Sequence, residues 1–235
     1  MVARAPGRRN ARRGRCPTSN APPSGPYNRG MCGRYDLNQH PAVIGLEFLI
    51  DLERMSAFEP NPDVRPTDRA PIVRVAAGGG RECVLAKWDF TPKGSNAPHF
   101  SNGRPLINAT VEKMRGRFWQ PYFQHTRAIV PAASWYEWPE IGGRKVRHRV
   151  GVRGRELIGF AGLWTDWIGA DGKPIEVYTI ITTAANALVA RLHSRERMPV
   201  ILDPEQYAPW LDGRIEDPDA IRAPYPEERL YAEAA

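Results

Sequence analysis

Six β-rich segments dominate the middle of this chain and limit the folds open to it. Residues 72–76, 82–90, 127–130, 146–152, 157–164 and 176–182 read as strands, separated by Gly, Pro or Asp-Gly punctuation. Most connections are short, and no regular strand–helix–strand alternation runs through the chain. The pattern predicts an α+β fold in one domain: a mainly antiparallel, curved or barrel-like sheet with flanking helices. Ala170-Asp171-Gly172-Lys173 predicts a hairpin turn between two strands. Gly78-Gly79-Gly80 predicts a tight turn, since no G-x-G-x-x-G or Walker loop is present.

Helices are predicted around this sheet. In 41–55, Val43, Leu46, Phe48, Leu49 and Leu52 fall at helical spacing. Residues 183–192 read as a second helix, with Thr182 or Thr183 as its N-cap and His193 at its end. Pro-broken helical pieces follow at 204–211 and 226–234. Residues 59–71 read as extended, with turn signals at Asn61-Pro62 and Arg65-Pro66-Thr67.

Charge divides the chain sharply. The first thirty residues hold seven Arg, no Lys and no acid, and read as a disordered leader or a mis-assigned start. Of the 33 basic residues, 26 remain after it, matching the 26 acidic ones, so the net charge of +7 belongs to that segment alone. Within the rest, residues from 203 onward are acidic and residues 31–202 carry +6, enough for a phosphate-binding surface or simply a solvated one. No apolar run approaches the ~18 residues of a membrane span, and no secretory signal is evident. The sequence therefore predicts a cytoplasmic protein with no membrane partner. The three cysteines, Cys16, Cys32 and Cys83, are widely spaced and show neither CxxC pairing nor zinc spacing.

Cys32 directly follows Met31. A lone cysteine is usually buried and inert. If translation begins at Met31 and Met is removed, however, Cys32 carries a free α-amine with a pKa near about 8. Such a 1,2-aminothiol traps an aldehyde: the amine forms an imine, and the sulfur closes a five-membered thiazolidine.

Four separated segments resemble the SRAP family, the SOS-response-associated peptidase domain proteins that crosslink to abasic sites in single-stranded DNA. They are Met31-Cys32-Gly33-Arg34-Tyr35, then Ile107-Asn108-Ala109 with Glu112, then Pro131 to Trp138 ending Tyr136-Glu137-Trp138, and finally His193 with Arg197-Met198-Pro199-Val200-Ile201-Leu202. They occur in the family's order, which implies an SRAP-like domain over 31–235 acting as a monomer without metal or organic cofactor. The resemblance implies that Cys32 is the nucleophile and that Asn108 orients the amine or sugar oxygen. It further implies that Glu137 moves protons and that His193 acts as general acid/base on the sugar oxygen. On residue type alone, Asn108, Glu137 and His193 read equally well as a turn residue, an ion-paired carboxylate and a helix-end cation.

Single-stranded DNA is held by cationic grooves with aromatic platforms. Arg34, Arg197, Trp88 and Trp138 are the candidates here, although most Trp simply fill cores. Pro66-Thr67 resembles the family's turn beside the site, where backbone and hydroxyl donors hold a phosphate. Residues 144, 145, 147–149, 153 and 155 form a basic stripe expected on an exposed hairpin face. Three departures stand out: Thr110 replaces the usual Arg, Asp89 replaces the Gly after Trp88, and His193 lies four residues before Arg197 rather than two. Asp89 is expected to repel a phosphate. Two rivals remain, an autoproteolytic peptidase cutting before Cys32 and a non-covalent single-stranded DNA module. Weak β-elimination at abasic sites and release of its own crosslink are further activities the resemblance allows.

Overall fold

The computed structural model describes residues 33–96, 98–99, 103–192 and 196–235. In chain order these form β1 (Tyr35–Leu37), α1 (Pro41–Phe48), β2 (Asn61–Val64), β3 (Arg69–Val75), β4 (Arg81–Trp88), β5 (Asn108–Thr110), α2 (Gln120–His125), β6 (Arg127–Ala132) and β7 (Ser134–Glu137). There follow β8 (Glu140–Ile141), β9 (Arg144–Lys145), β10 (His148–Val152), β11 (Ile158–Ile168), β12 (Pro174–Ala184), α3 (Ala187–Ala190), β13 (Arg197–Pro199), β14 (Ile201–Leu202), α4 (Pro204–Leu211) and β15 (Leu230–Ala234).

The barrel follows from how β12 pairs. It runs antiparallel to β11 and parallel to β4, while β3 bridges β4 to β6 and β6 joins β11. Five strands thus close on themselves, which removes exposed edges along the ring. The strands are apolar on both faces because one face fills the barrel and the other packs outside it; Ile72, Val73, Ile129, Phe160, Leu163 and Ile181 are all fully buried. Two glycines of β11 mark the tightest approaches. A Cβ on Gly159 would lie 2.6 Å from Ile129 Cγ2, and one on Gly162 would lie 3.0 Å from the Thr179 carbonyl.

A second sheet, in the order β15-β10-β7-β1-β2, lies against the barrel, with Trp135 and Tyr35 continuing into the core. Both predicted turns are present: Ala76 N–H bonds Gly80 O across the glycine turn, and Gly169 N–H bonds Lys173 O at 2.9 Å in the β11–β12 hairpin.

Three sequence expectations change. The first helix stops at Phe48, because Leu49 turns left-handed (φ 53°) and only a 3-10 turn follows at Leu52–Arg54. Ile44 and Phe48 face the core, whereas Leu46, Leu49 and Leu52 are exposed. The expected helix over 183–192 shrinks to Ala187–Ala190, capped by the Asn186 side chain, since Thr183 and Ala184 pair with Met198 and Arg197. The last segment is not helical: Leu230–Ala234 forms the β15 strand along β10, where main-chain pairing overrides the helical preference of its Ala and Glu residues. Among the described residues no helix is long and apolar enough to cross a membrane.

Candidate functional site

β1 is threaded between β2 and β7. Tyr35 pairs with Trp135 and Asp36 with Ser134, and Tyr136 N–H bonds Arg34 O at 3.0 Å. Continuing that register by one more residue sets Gly33 across from Glu137. Alternation along β7 gives Trp135 and Glu137 one face and Ser134 and Tyr136 the other. Glu137 is only 3% exposed, so this carboxylate sits inside the fold rather than on its surface.

An aromatic trio underlies that end. Trp88 meets Tyr35 edge-on at 5.2 Å and stacks with Tyr178 at 6.2 Å, and the two tyrosine hydroxyls are 2.7 Å apart. Burial raises the pKa of both tyrosines, so they stay neutral. Trp88 Nε1 donates to Ile107 O at 2.8 Å, which fixes the backbone just before Asn108. Asn108 itself is buried at the start of β5, paired in register with Ile180. Trp88 O in turn accepts from Thr67 N, tying the Pro66-Thr67 turn to the same support. Arg65 O accepts from Asp68 N across this turn, and Thr67 holds φ 76°. That conformation suits glycine; a β-branched residue there stores strain.

The cationic candidates are placed unevenly. Arg34 lies 5.5 Å over the Trp138 ring and pairs with Asp63 at 3.1 Å. Arg197 donates to both carboxylate oxygens of Glu112, at 2.8 and 2.9 Å, and to Thr182 O at 2.6 Å. This hydrogen-bonded pair, above all, lowers the Glu112 pKa, and it ties the segment after Asn108 to the β13 segment. Of the basic stripe, Arg144 and Lys145 are exposed on the β8–β9 hairpin, as expected. Arg149 reaches Ser134 Oγ, and Arg155 is committed to Glu47 and Tyr207, so those two do structural work.

Two expectations are corrected. Trp88 is 1% exposed and is a core support, not a base-stacking platform. Asp89 does not face outward to repel phosphate: it is 1% exposed, takes Leu106 N–H on Oδ1, and lies 3.1 Å from Lys87 Nζ and 2.7 Å from His99 Nδ1. Thr110 occupies the β5 end opposite Thr182. Cys32 and His193 lie outside the described residues. Cys83 is buried and its thiol is pushed up to about 12, which removes it as a nucleophile at neutral pH. Among the described residues no group of three His, Cys, Asp or Glu could hold a metal ion.

The residues that sequence reasoning passed over are Asp63, Arg65 and Tyr136. Asp63 and Arg65 are two apart at the end of a strand, which points both to one side. Their two-residue spacing is the sequence signal, and the turn reading of Asn61-Pro62 and Arg65-Pro66-Thr67 does not use it.

A sequence model of the family described as SOS response associated peptidase (SRAP) matches residues 31–234. Among similar curated proteins, the abasic site processing protein YoqW of Bacillus subtilis is 30% identical over 209 residues, covering 86% of this chain and 91% of that protein. The abasic site processing protein YedK of Escherichia coli is 29% identical over 195 residues, covering 81% and 83%. A solved protein of Bordetella bronchiseptica shares the fold with a TM-score of 0.75 at 26% identity, covering 87% of this chain and 99% of that one. One from Bacteroides thetaiotaomicron also reaches 0.75, at 18% identity, covering 86% and 91%.

Proposed function

Because the chain belongs to the SOS response associated peptidase (SRAP) family, we propose that it recognises abasic sites in single-stranded DNA and links to them covalently through Cys32. The names of its relatives support the lesion. The observation that carries the chemistry is the buried Glu137 carboxylate, which the β1–β7 register sets across from Gly33, one residue from the thiol.

In the proposed reaction, Cys32 is N-terminal. Its amine adds to the ring-opened C1′ aldehyde and water leaves, giving an imine. The Cys32 sulfur then adds to the imine carbon and its proton passes to nitrogen, closing the thiazolidine. The net balance is loss of one water, with no redox change. Glu137 accepts and returns the protons moved in these steps, and a carboxylate in so buried a place is suited to that exchange. Asn108 orients the amine or sugar oxygen, and His193 protonates the sugar oxygen as the ring opens. The Pro66-Thr67 turn, Arg34, Trp138 and Arg197 line the strand, Arg34 and Trp138 through their guanidinium–indole contact.

The test compares three proteins on an abasic single-stranded oligonucleotide in a denaturing gel: one starting at Met31, its Cys32→Ser variant, and the full 235-residue chain. A shifted band from the first alone supports the mechanism. Robust crosslinking by the intact full-length chain, whose Cys32 nitrogen is an amide, sinks it. The family's description as a peptidase favours one companion reading, autoproteolysis before Cys32. N-terminal sequencing of the incubated full chain tests that reading, with spontaneous exposure of Cys32 as the supporting result.

A further inference from the structure

On the outward face of the second sheet, two guanidiniums grip a single carboxylate. Asp63 Oδ2 accepts from Arg34 at 3.1 Å and from both Nε and a terminal nitrogen of Arg65 at 2.9 and 2.7 Å. Tyr35 pairs with Val64, and one further step of that antiparallel register sets Arg34 directly across from Arg65. Like charges in that position repel unless an anion lies between them, and Asp63 is that anion. The loop is held in place, since Tyr136 Oη donates to Pro62 O at 3.0 Å and Asp63 N–H bonds Asn61 Oδ1. Arg147 Cζ lies over the Tyr136 ring, 3.7 Å from its centroid, and among the described residues Arg147 has no carboxylate within ion-pair distance. Trp138 extends the ledge, 6.3 Å from Tyr136.

A carboxylate gripped by facing guanidiniums occupies the position that a phosphodiester takes in the same fork geometry. The pairs are partly exposed, Arg65 most of all at 53%, so exchange with a ligand from solvent is open. We propose that the Arg34–Asp63–Arg65 cluster is a phosphate-exchange site, in which a backbone phosphate of single-stranded DNA displaces the Asp63 carboxylate from the two guanidiniums. Arg147 supplies unneutralised charge beside it, and the half-buried Trp138 offers an apolar face. Asp63 therefore attenuates binding while keeping two like charges pre-arranged. The inference rests on the DNA reading above, but it concerns binding of the undamaged backbone and needs no covalent step.

The experiment measures binding of an undamaged fluorescent single-stranded oligonucleotide across a salt series, using protein from Met31 and its variants. Asp63→Asn is expected to tighten binding about two- to fivefold, the range of one exposed ion pair. Arg65→Gln is expected to weaken it and to lower the slope of log K against log salt by about 0.7, one single-strand phosphate. In an Arg34→Gln/Arg65→Gln background the Asp63→Asn gain is expected to vanish. If that gain persists undiminished there, Asp63 acts by diffuse repulsion and the exchange site is refuted. Unchanged or weaker binding by Asp63→Asn also overturns it. Should Asp63→Asn fail to fold, the Arg65→Gln slope decides alone, an unchanged slope being contrary. The same samples on abasic DNA separate the two claims. Crosslinking with no Asp63 effect defeats only the exchange site, and an Asp63 effect without crosslinking defeats only the covalent function.

Discussion

Replacing Trp88 with Phe separates a core support from a DNA platform. The indole is 1% exposed, donates to Ile107 O at 2.8 Å and packs between Tyr35 and Tyr178. Ile107 O keeps one partner after the change, because Ile180 N–H also bonds it, so the lost hydrogen bond costs about 1 kcal/mol. Three buried ring atoms add about 2 kcal/mol in lost burial and residual cavity. A total of about 3 kcal/mol lowers the melting temperature by roughly 6–12 °C in a domain of this size. Urea unfolding followed by Trp fluorescence and circular dichroism reads the loss, and oligonucleotide affinity at a temperature where the variant is folded should stay close to that of the parent. A variant with unchanged stability but much weaker DNA binding would refute the core assignment.

Other perturbations have definite signs. Trp138→Ala is expected to do the reverse of Trp88→Phe, weakening oligonucleotide binding through loss of the Arg34-backed indole while leaving the melting temperature nearly unchanged. Gly159→Ala drives a methyl into Ile129 and Tyr207, and is expected to cost about 1–3 kcal/mol in urea unfolding. Thr67→Gly releases a left-handed β-branched residue worth about 1–2 kcal/mol of strain, against about 0.5–1 kcal/mol of added chain entropy, so a small net gain in stability is expected. The Glu112 pKa is lowered from its ordinary 4.5, first by the Arg197 hydrogen bond, so its contribution is present above 4.5 and is lost as pH falls through the lower folded value. Arg197→Gln should therefore flatten the dependence of melting temperature on pH in that acid window.

Much of the barrel was legible because β-branched runs and turn residues agree with the final pairing. Some strands grew by a few residues where neighbours extend the ladder, as in β11 and β12, while β4 and β10 are shorter than expected. Two of the misses share a cause, tertiary pairing overriding local preference. Leu230–Ala234 reads as helix by composition but completes a sheet edge, and Thr183 caps no helix because it pairs with Met198. For the site, the described parts of two of the ordered segments meet through the Tyr35–Trp88–Ile107 contacts. What they did not give was side-chain depth. Trp88 and Asp89 look like surface groups in a motif, yet both are buried, and nothing in their spacing reveals it. The Asp63–Arg65 pair was likewise hidden behind a turn signal, since its meaning depends on Arg34, which is distant in sequence.

The measurement that bears most directly on the covalent account is the intact mass of the adduct between Met31-start protein, with Met removed, and an abasic oligonucleotide. The account predicts the sum of the two masses less one water, with the modification mapping to Cys32 and no reducing agent needed. It also predicts loss of the adduct in Cys32→Ser and in protein whose Cys32 amine is acetylated. An adduct of equal yield in either control, or one that maps to another residue, would contradict it.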